Sequence, residues 1–183
     1  MYATNDNLQA IESRNRVTNA LLSLMKKYPY NDITIIQVCQ EAQIVRQTYY
    51  RNFDSKDDIL KFHLDNMVRQ YFTDYYRIKD VHAQLENFFE YMLQNREFLH
   101  LASKNSLFFM IDETISMNIT KFVNFQQLTT IDDPKFEKYV IGFIASTICS
   151  LLSLWVDNGF AESPEMLSQL AQRFLGGLRS KEG

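Results

Sequence analysis

Glycine and proline are scarce in this chain, five and three among 183 residues, so there are few obligatory breaks and little material for tight β-turns. No run alternates apolar and polar residues, which excludes a sheet of amphipathic strands and leaves an all-α fold. Cysteine occurs only as Cys39 and Cys149, far apart and each on an apolar helical stretch. That excludes a disulfide-stapled scaffold and suits two buried, reduced thiols. No HExxH, GxSxG or P-loop pattern is present, and neither cysteine has a histidine beside it to activate it, so an enzyme is not expected. His63, His82 and His100 are scattered. Convergence of His82, His100 and Cys149 with carboxylates would be needed to build a metal site, and a lone helical histidine is more often structural, so no metal and no cofactor is expected. The polar stretch Met1–Gln9 lacks the apolar segment of a signal peptide, which points to the cytoplasm.

One segment carries most of the functional information: Ile33–Leu60, ITIIQVCQEAQIVRQTYYRNFDSKDDIL. Thr34 followed by Gln37 is the pattern of a capping box. Ile35, Val38, Cys39 and Ala42 then mark one buried helical face. After a break at Gln43 and Ile44, residues 45–52 form a helix too short to be stable alone. It presents Arg46, Gln47, Thr48, Tyr50 and Arg51. Arg and Gln form bidentate bonds with guanine and adenine edges, Thr meets a base or a thymine methyl, and Tyr and Arg suit phosphate oxygens. Ser55 with Lys56-Asp57-Asp58 starts a longer helix, its acids placed to favour the positive end of the dipole. The segment therefore reads as a helix-turn-helix. Arg46, Gln47 and Thr48 are expected at base edges, and Thr34, Tyr50, Arg51, Asn52 and Lys56 at phosphates.

Thr34…Ala42, Ile44, Thr48-Tyr49-Tyr50-Arg51-Asn52-Phe53 and Ser55-Lys56-Asp57-Asp58-Ile59-Leu60 resemble the amino-terminal signature of the TetR family of bacterial transcriptional regulators. That family's usual turn is Ala-Gly-Val-Ser, whereas this chain has Ala42-Gln43-Ile44-Val45. The turn glycine and the serine cap are both missing. If the usual dihedrals are kept, Gln43 must be left-handed, and the lost cap costs on the order of 1 kcal/mol that packing must make up. Phe88-Phe89-Glu90-Tyr91, Tyr139–Trp155, Asp157-Asn158-Gly159-Phe160 and Glu162-Ser163-Pro164-Glu165 are similar to the carboxy-terminal subtype of regulators like the dihydroxyacetone kinase activator.

The net charge of −3 divides unevenly: residues 1–56 hold seven basic groups against five acids, the remainder twelve against seventeen. A mildly basic head on an acidic body steers the head toward phosphate. The boundary is expected between residues 54 and 55, giving a DNA-binding head (1–54) and an effector-binding and dimerisation body (55–183). In the head, the opening helix spans Asn7–Tyr28 with Leu8, Ile11, Val17, Ala20, Leu21, Leu24 and Tyr28 inward. Further helices are expected at 55–77, 81–95, 96–103, 106–127, 134–158 and 164–179. Asp133-Pro134 and Ser163-Pro164 supply starts, and Gly159 a C-cap.

Tyr139–Trp155 carries no charge and approaches the length of a membrane span. Its small residues Gly142, Ser146 and Ser150 recur every four positions, which favours close helix approach, and no membrane partner is expected. Paired with the helix from Pro164, whose apolar side includes Leu170 and Phe174, it suits a four-helix dimer interface, as the resemblance also implies. Two copies then read half-sites about one DNA turn apart. Aromatic and methionine residues at Phe88, Met92, Phe108, Phe109 and Met110 suit a small-molecule pocket, although stripes at this spacing also build ordinary cores. The resemblance implies a ligand cavity among these helices, and an unidentified small-molecule effector that releases a homodimeric repressor from a palindromic double-stranded operator by tilting the connecting helix. The rival expectation is a small-molecule carrier whose head no longer reads DNA.

Overall fold

The computed structural model describes residues 3–75, 78, 80–122 and 135–176. Among the described residues there are nine α-helices, one 3-10 turn and no strand. The helices are α1 (Ala3–Met25), α2 (Ile35–Glu41), α3 (Arg46–Asn52), α4 (Lys56–Tyr75), α5 (Val81–Gln94), α6 (Arg96–Lys104), α7 (Phe108–Phe122), α8 (Glu137–Asp157) and α9 (Pro164–Gly176). The chain forms two compact units, Met1–Asn66 and Met67–Gly183. Their division falls inside α4, whereas the sequence suggests a joint at the start of that helix.

In the first unit α1 packs on α2 and α3. Val17, Leu21, Val38, Tyr49 and Ile59 are completely buried, with Leu24, Met25, Phe53 and Leu60 around them. Two residues expected to face inward do not. Ile11 is exposed because it lies about 120° round the helix from Val17. Tyr28 is exposed because α1 ends at Met25, with the amides of Lys27 and Tyr28 both closing on Leu24 O. Tyr30, in the 3-10 turn Tyr30–Asp32, is buried instead. At the start of α4, Asp58 N donates to Ser55 Oγ at 3.2 Å and Ser55 N to Asp58 Oδ2 at 2.8 Å. The bonds from Ser55, chiefly that of its side chain, hold the Asp58 carboxyl below its ordinary pKa.

The second unit is built by α5 against α9 and by α8 against α6, α7 and α9. Its centre is Trp155, edge-on to Phe89 at 5.9 Å, with the indole N–H donating to Glu162 O at 3.0 Å. Tyr91 buries its hydroxyl by donating to Met67 O at 2.8 Å, so the polar atom is satisfied where water is excluded. Asp80 caps α5 through Ala83 N, and Ser163 caps α9 through Met166 N. Both cysteines are buried and unpaired with each other. Burial, then a hydrogen bond to Asp112, pushes the Cys149 thiol pKa upward.

Glycine scarcity shapes the turns. No glycine precedes Gly142, yet three helices end in the same left-handed cap, at Gln43 (φ 53°), Ser106 (φ 59°) and Gly159 (φ 67°). In each, the following amide reaches back to a carbonyl five residues earlier: Ile44 to Cys39, Leu107 to Ala102 and Phe160 to Trp155. That is the Schellman pattern, for which glycine is the usual residue. The cap at Ser106 is also why α7 begins at Phe108 and not at Ser106. The anticipated start at Asp133-Pro134, and the extensions of α7 to Gln127 and α9 to Arg179, lie outside the described residues; α8 is helical from Glu137.

Candidate nucleic-acid interface

Thr34 begins α2 with a complete capping box: Gln37 N donates to Thr34 Oγ1 at 3.3 Å and Thr34 N to Gln37 Oε1 at 2.8 Å. Gln43 takes the left-handed conformation that the absent glycine would have supplied, and Val45 starts α3 with no side-chain cap. The compensation comes from α1. One terminal nitrogen of Arg16 donates to Ala42 O at 2.7 Å and to Gln43 O at 3.0 Å, covering carbonyls at the negative end of the α2 dipole. Close by, Ser23 Oγ donates to Glu41 Oε1 at 2.9 Å. Nothing local in the sequence marks Arg16 for this role, since its acceptors lie 26 and 27 positions away. A missing glycine and a missing cap were the signal that the turn needed an outside partner.

Short α3 is fixed by one completely buried side chain, Tyr49, flanked by Phe53. The ring is worth about 2–3 kcal/mol of apolar burial, whereas its hydroxyl is buried with no hydrogen-bond partner. Burial pushes that phenol up to about 12. Opposite the anchor, Arg46, Gln47, Tyr50 and Arg51 are exposed together, and the Arg46 guanidinium lies 6.0 Å from the Tyr50 ring centroid. Thr48 is half-buried. So is Asn52, whose amide nitrogen donates to Thr48 O at 2.8 Å and reaches Ser13 Oγ at 3.4 Å. Lys56, also expected at phosphate, places its ammonium on Tyr30 O (2.7 Å) and Ile33 O (2.6 Å), over the Tyr30 ring. Its partial burial lowers its pKa, opposed by Asp57 and Asp32. Tyr30 Oη donates to Asp57, so this corner ties the 3-10 turn to α4.

The expected effector residues separate. Phe88, Met92 and Met110 are buried in the packed core of the second unit. Phe108 and Phe109 instead line an open groove of about 330 Å³ between α7 and α8, with Asp112, Ser146, Cys149, Ser150 and Ser153. Two of these, Ser146 and Ser150, come from the expected dimer face. That face is one continuous stripe of α8: Tyr139, Gly142, Phe143, Ser146, Ser150 and Leu154 are all exposed. A Cβ at Gly142 would meet nothing within 4 Å, so its own chain gives no reason for a glycine. On α9 the apolar side divides, with Leu167, Ala171 and Leu175 buried and Met166, Leu170 and Phe174 exposed. Among the described residues no group of three or more His, Cys, Asp or Glu side chains could hold a metal ion, and His82 and His100 are both exposed.

Residues 79–177 match TetR_C_8, the family model of a transcriptional regulator C-terminal region. The chain belongs to the TetR family. Two solved structures share the fold. A TetR transcriptional regulator from Streptococcus agalactiae 2603V is 19% identical with a TM-score of 0.69, over 94% of this chain and 98% of that one. The dihydroxyacetone kinase operon activator DhaS is 19% identical with a TM-score of 0.58, over 94% of this chain and 99% of that one. No curated protein matches the sequence. This TetR-family chain is a transcriptional regulator and not an enzyme. Helix α8 is long and apolar enough to cross a membrane by length and composition alone, and half of its most apolar stretch is buried inside the protein.

Proposed function

We propose that the protein is a cytoplasmic homodimeric repressor that binds a palindromic double-stranded operator and is released by a small-molecule effector. The observation that carries the DNA reading is α3: a buried Tyr49 anchors a helix whose outer side offers Arg46, Gln47, Tyr50 and Arg51 together. Arg46, Gln47 and Thr48 reach base edges, the half-buried Thr48 only at close approach. Thr34, Tyr50 and Arg51 take phosphates, and Asn52 and Lys56 do so by exchanging the internal bonds they make. The DNA-reading head comprises residues 1–54 and the effector-binding and dimerisation body residues 55–183.

The stripe on α8, with Leu170 and Phe174 of α9, supports a four-helix interface that covers apolar surface a soluble monomer would leave wet. A dimer is also what two half-sites about one helical turn apart require. Effector binding in the body, for which the α7–α8 groove is the candidate, shifts the population away from the DNA-competent form through its differential affinity for the two states. The left-handed turn at Gln43 supports a head that reads DNA over a carrier with a degenerate head, since the turn keeps its shape without glycine.

Selection of bound sequences from random duplex DNA at two salt concentrations tests the proposal. Recovery of a palindrome that survives higher salt is expected. Only non-specific, salt-labile binding would reject it in favour of the carrier. A reporter carrying the recovered palindrome beside a promoter then separates repression from activation by the sign of the response to deletion of the gene.

A further inference from the structure

We propose that Arg16 is a positioning residue for DNA reading, its guanidinium holding the left-handed turn at Gln43 that aims α3. The role in reading rests on the function proposed for α3; the clamp itself rests on geometry. Gln43 sits at φ 53°, a conformation in which any residue with a Cβ is disfavoured. Ala42 O and Gln43 O, at and just beyond the end of α2, point toward α1, and one nitrogen of Arg16 bonds both. A second tie runs alongside: Ser23, two helical turns after Arg16 on the same side of α1, donates to Glu41 on the last turn of α2. Val45 supplies no cap, so the start of α3 receives no fixing from its own first residue. The strained turn and the orphan carbonyls therefore share one external support, a permanently charged group whose single terminal nitrogen reaches both acceptors.

The test is a cycle of four full-length dimers: wild type, Arg16→Ala, Gln43→Gly and the double variant. Two quantities are read. One is amide exchange at Ile44, whose N–H bonds Cys39 O at 3.0 Å across the turn. The other is the ratio of affinities for a selected duplex and a scrambled one, measured over a range of salt. Arg16→Ala is expected to speed Ile44 exchange about tenfold and to reduce the affinity ratio about fivefold with the salt slope unchanged. Adding Gln43→Gly recovers both, because glycine holds the turn without a clamp. Unchanged Ile44 exchange in Arg16→Ala would overturn the proposal. So would a salt slope smaller by about one unit with no recovery by glycine, the behaviour of a plain phosphate contact. Should the wild type show no sequence discrimination, the reading of α3 fails, while the exchange measurement alone still decides the clamp.

Discussion

Two surfaces left uncovered among the described residues, the outer side of α3 and the stripe on α8, are exposed for opposite reasons. Helix α3 presents guanidinium, amide and phenol groups, whose hydrogen bonds can be exchanged for those of another hydrated polar surface. Helix α8 presents Tyr139, Phe143 and Leu154 around Gly142, Ser146 and Ser150, a surface with little to offer water and room for another backbone. On the function proposed above, the first suits a partner that varies in sequence along a constant charged frame. The second suits a partner of constant shape, as a second copy of the chain would be. Two kinds of recognition are thus written in two side-chain vocabularies, one per compact unit.

A charge in the stripe should break the contrast most severely. Leu154 is 66% exposed, so Leu154→Glu leaves the protomer folded but, in the proposed dimer, would bury an unpaired carboxylate at a cost of several kcal/mol. Light scattering is expected to show monomers at micromolar concentration and operator binding is expected to collapse; a stable dimer would move the interface elsewhere. Acid comes next. His63 is largely buried in the first unit and desolvation lowers its pKa to about 4, below the ordinary 6.5. The unfolded chain therefore binds the proton first, and stability present above about pH 6.5 drains away as pH falls toward 4. After allowance for residual solvent, the loss is on the order of 2 kcal/mol. Urea unfolding followed between pH 7 and 4 should reveal it, and a His63→Gln variant with the same pH slope would refute the assignment.

Arg46→Ala tests the other vocabulary: it should cost about 1–3 kcal/mol and relax the preference at one operator base pair. A uniform loss on every sequence would place Arg46 on phosphate instead. Lys56→Ala sharpens the comparison further. Its ammonium holds two carbonyls, so thermal stability of the head should fall by about 1–2 kcal/mol. A salt slope reduced by about one unit would show that the same group also reaches DNA. The smallest effect is expected at Tyr49, where phenylalanine keeps the anchor and removes a buried hydroxyl without a partner. Tyr49→Phe should stabilise by about 1 kcal/mol, and destabilisation in a melting experiment would mean that the hydroxyl has a function.

Much of this was legible in the sequence, because the signals were local. The Thr34 capping box, the Ser163-Pro164 start and the Gly159 cap each depend on residues a few positions apart. What escaped depends on long-range pairing. Arg16 meets its carbonyls 26 and 27 positions away, and Lys56 meets its own 26 and 23 positions away, so neither role follows from spacing along one helix. Apolar periodicity also marks a face without saying which body covers it. Leu167 and Leu170 look alike in sequence, yet one is buried by its own chain and the other is exposed. Among the aromatics, Phe88 and Phe109 were indistinguishable until the fold put one in the core and the other in a groove.

Cys39 and Cys149 are both sheltered from solvent, which makes the native chain almost blank to thiol reagents. A cysteine installed at exposed Gln47 would be the single readily labelled sulfur in each protomer, with nothing to delete first. In the proposed homodimer, a spin label there would turn the two α3 helices into a molecular ruler. Their separation could be followed as candidate metabolites are titrated, without any fluorophore on the DNA and before a single target gene is known.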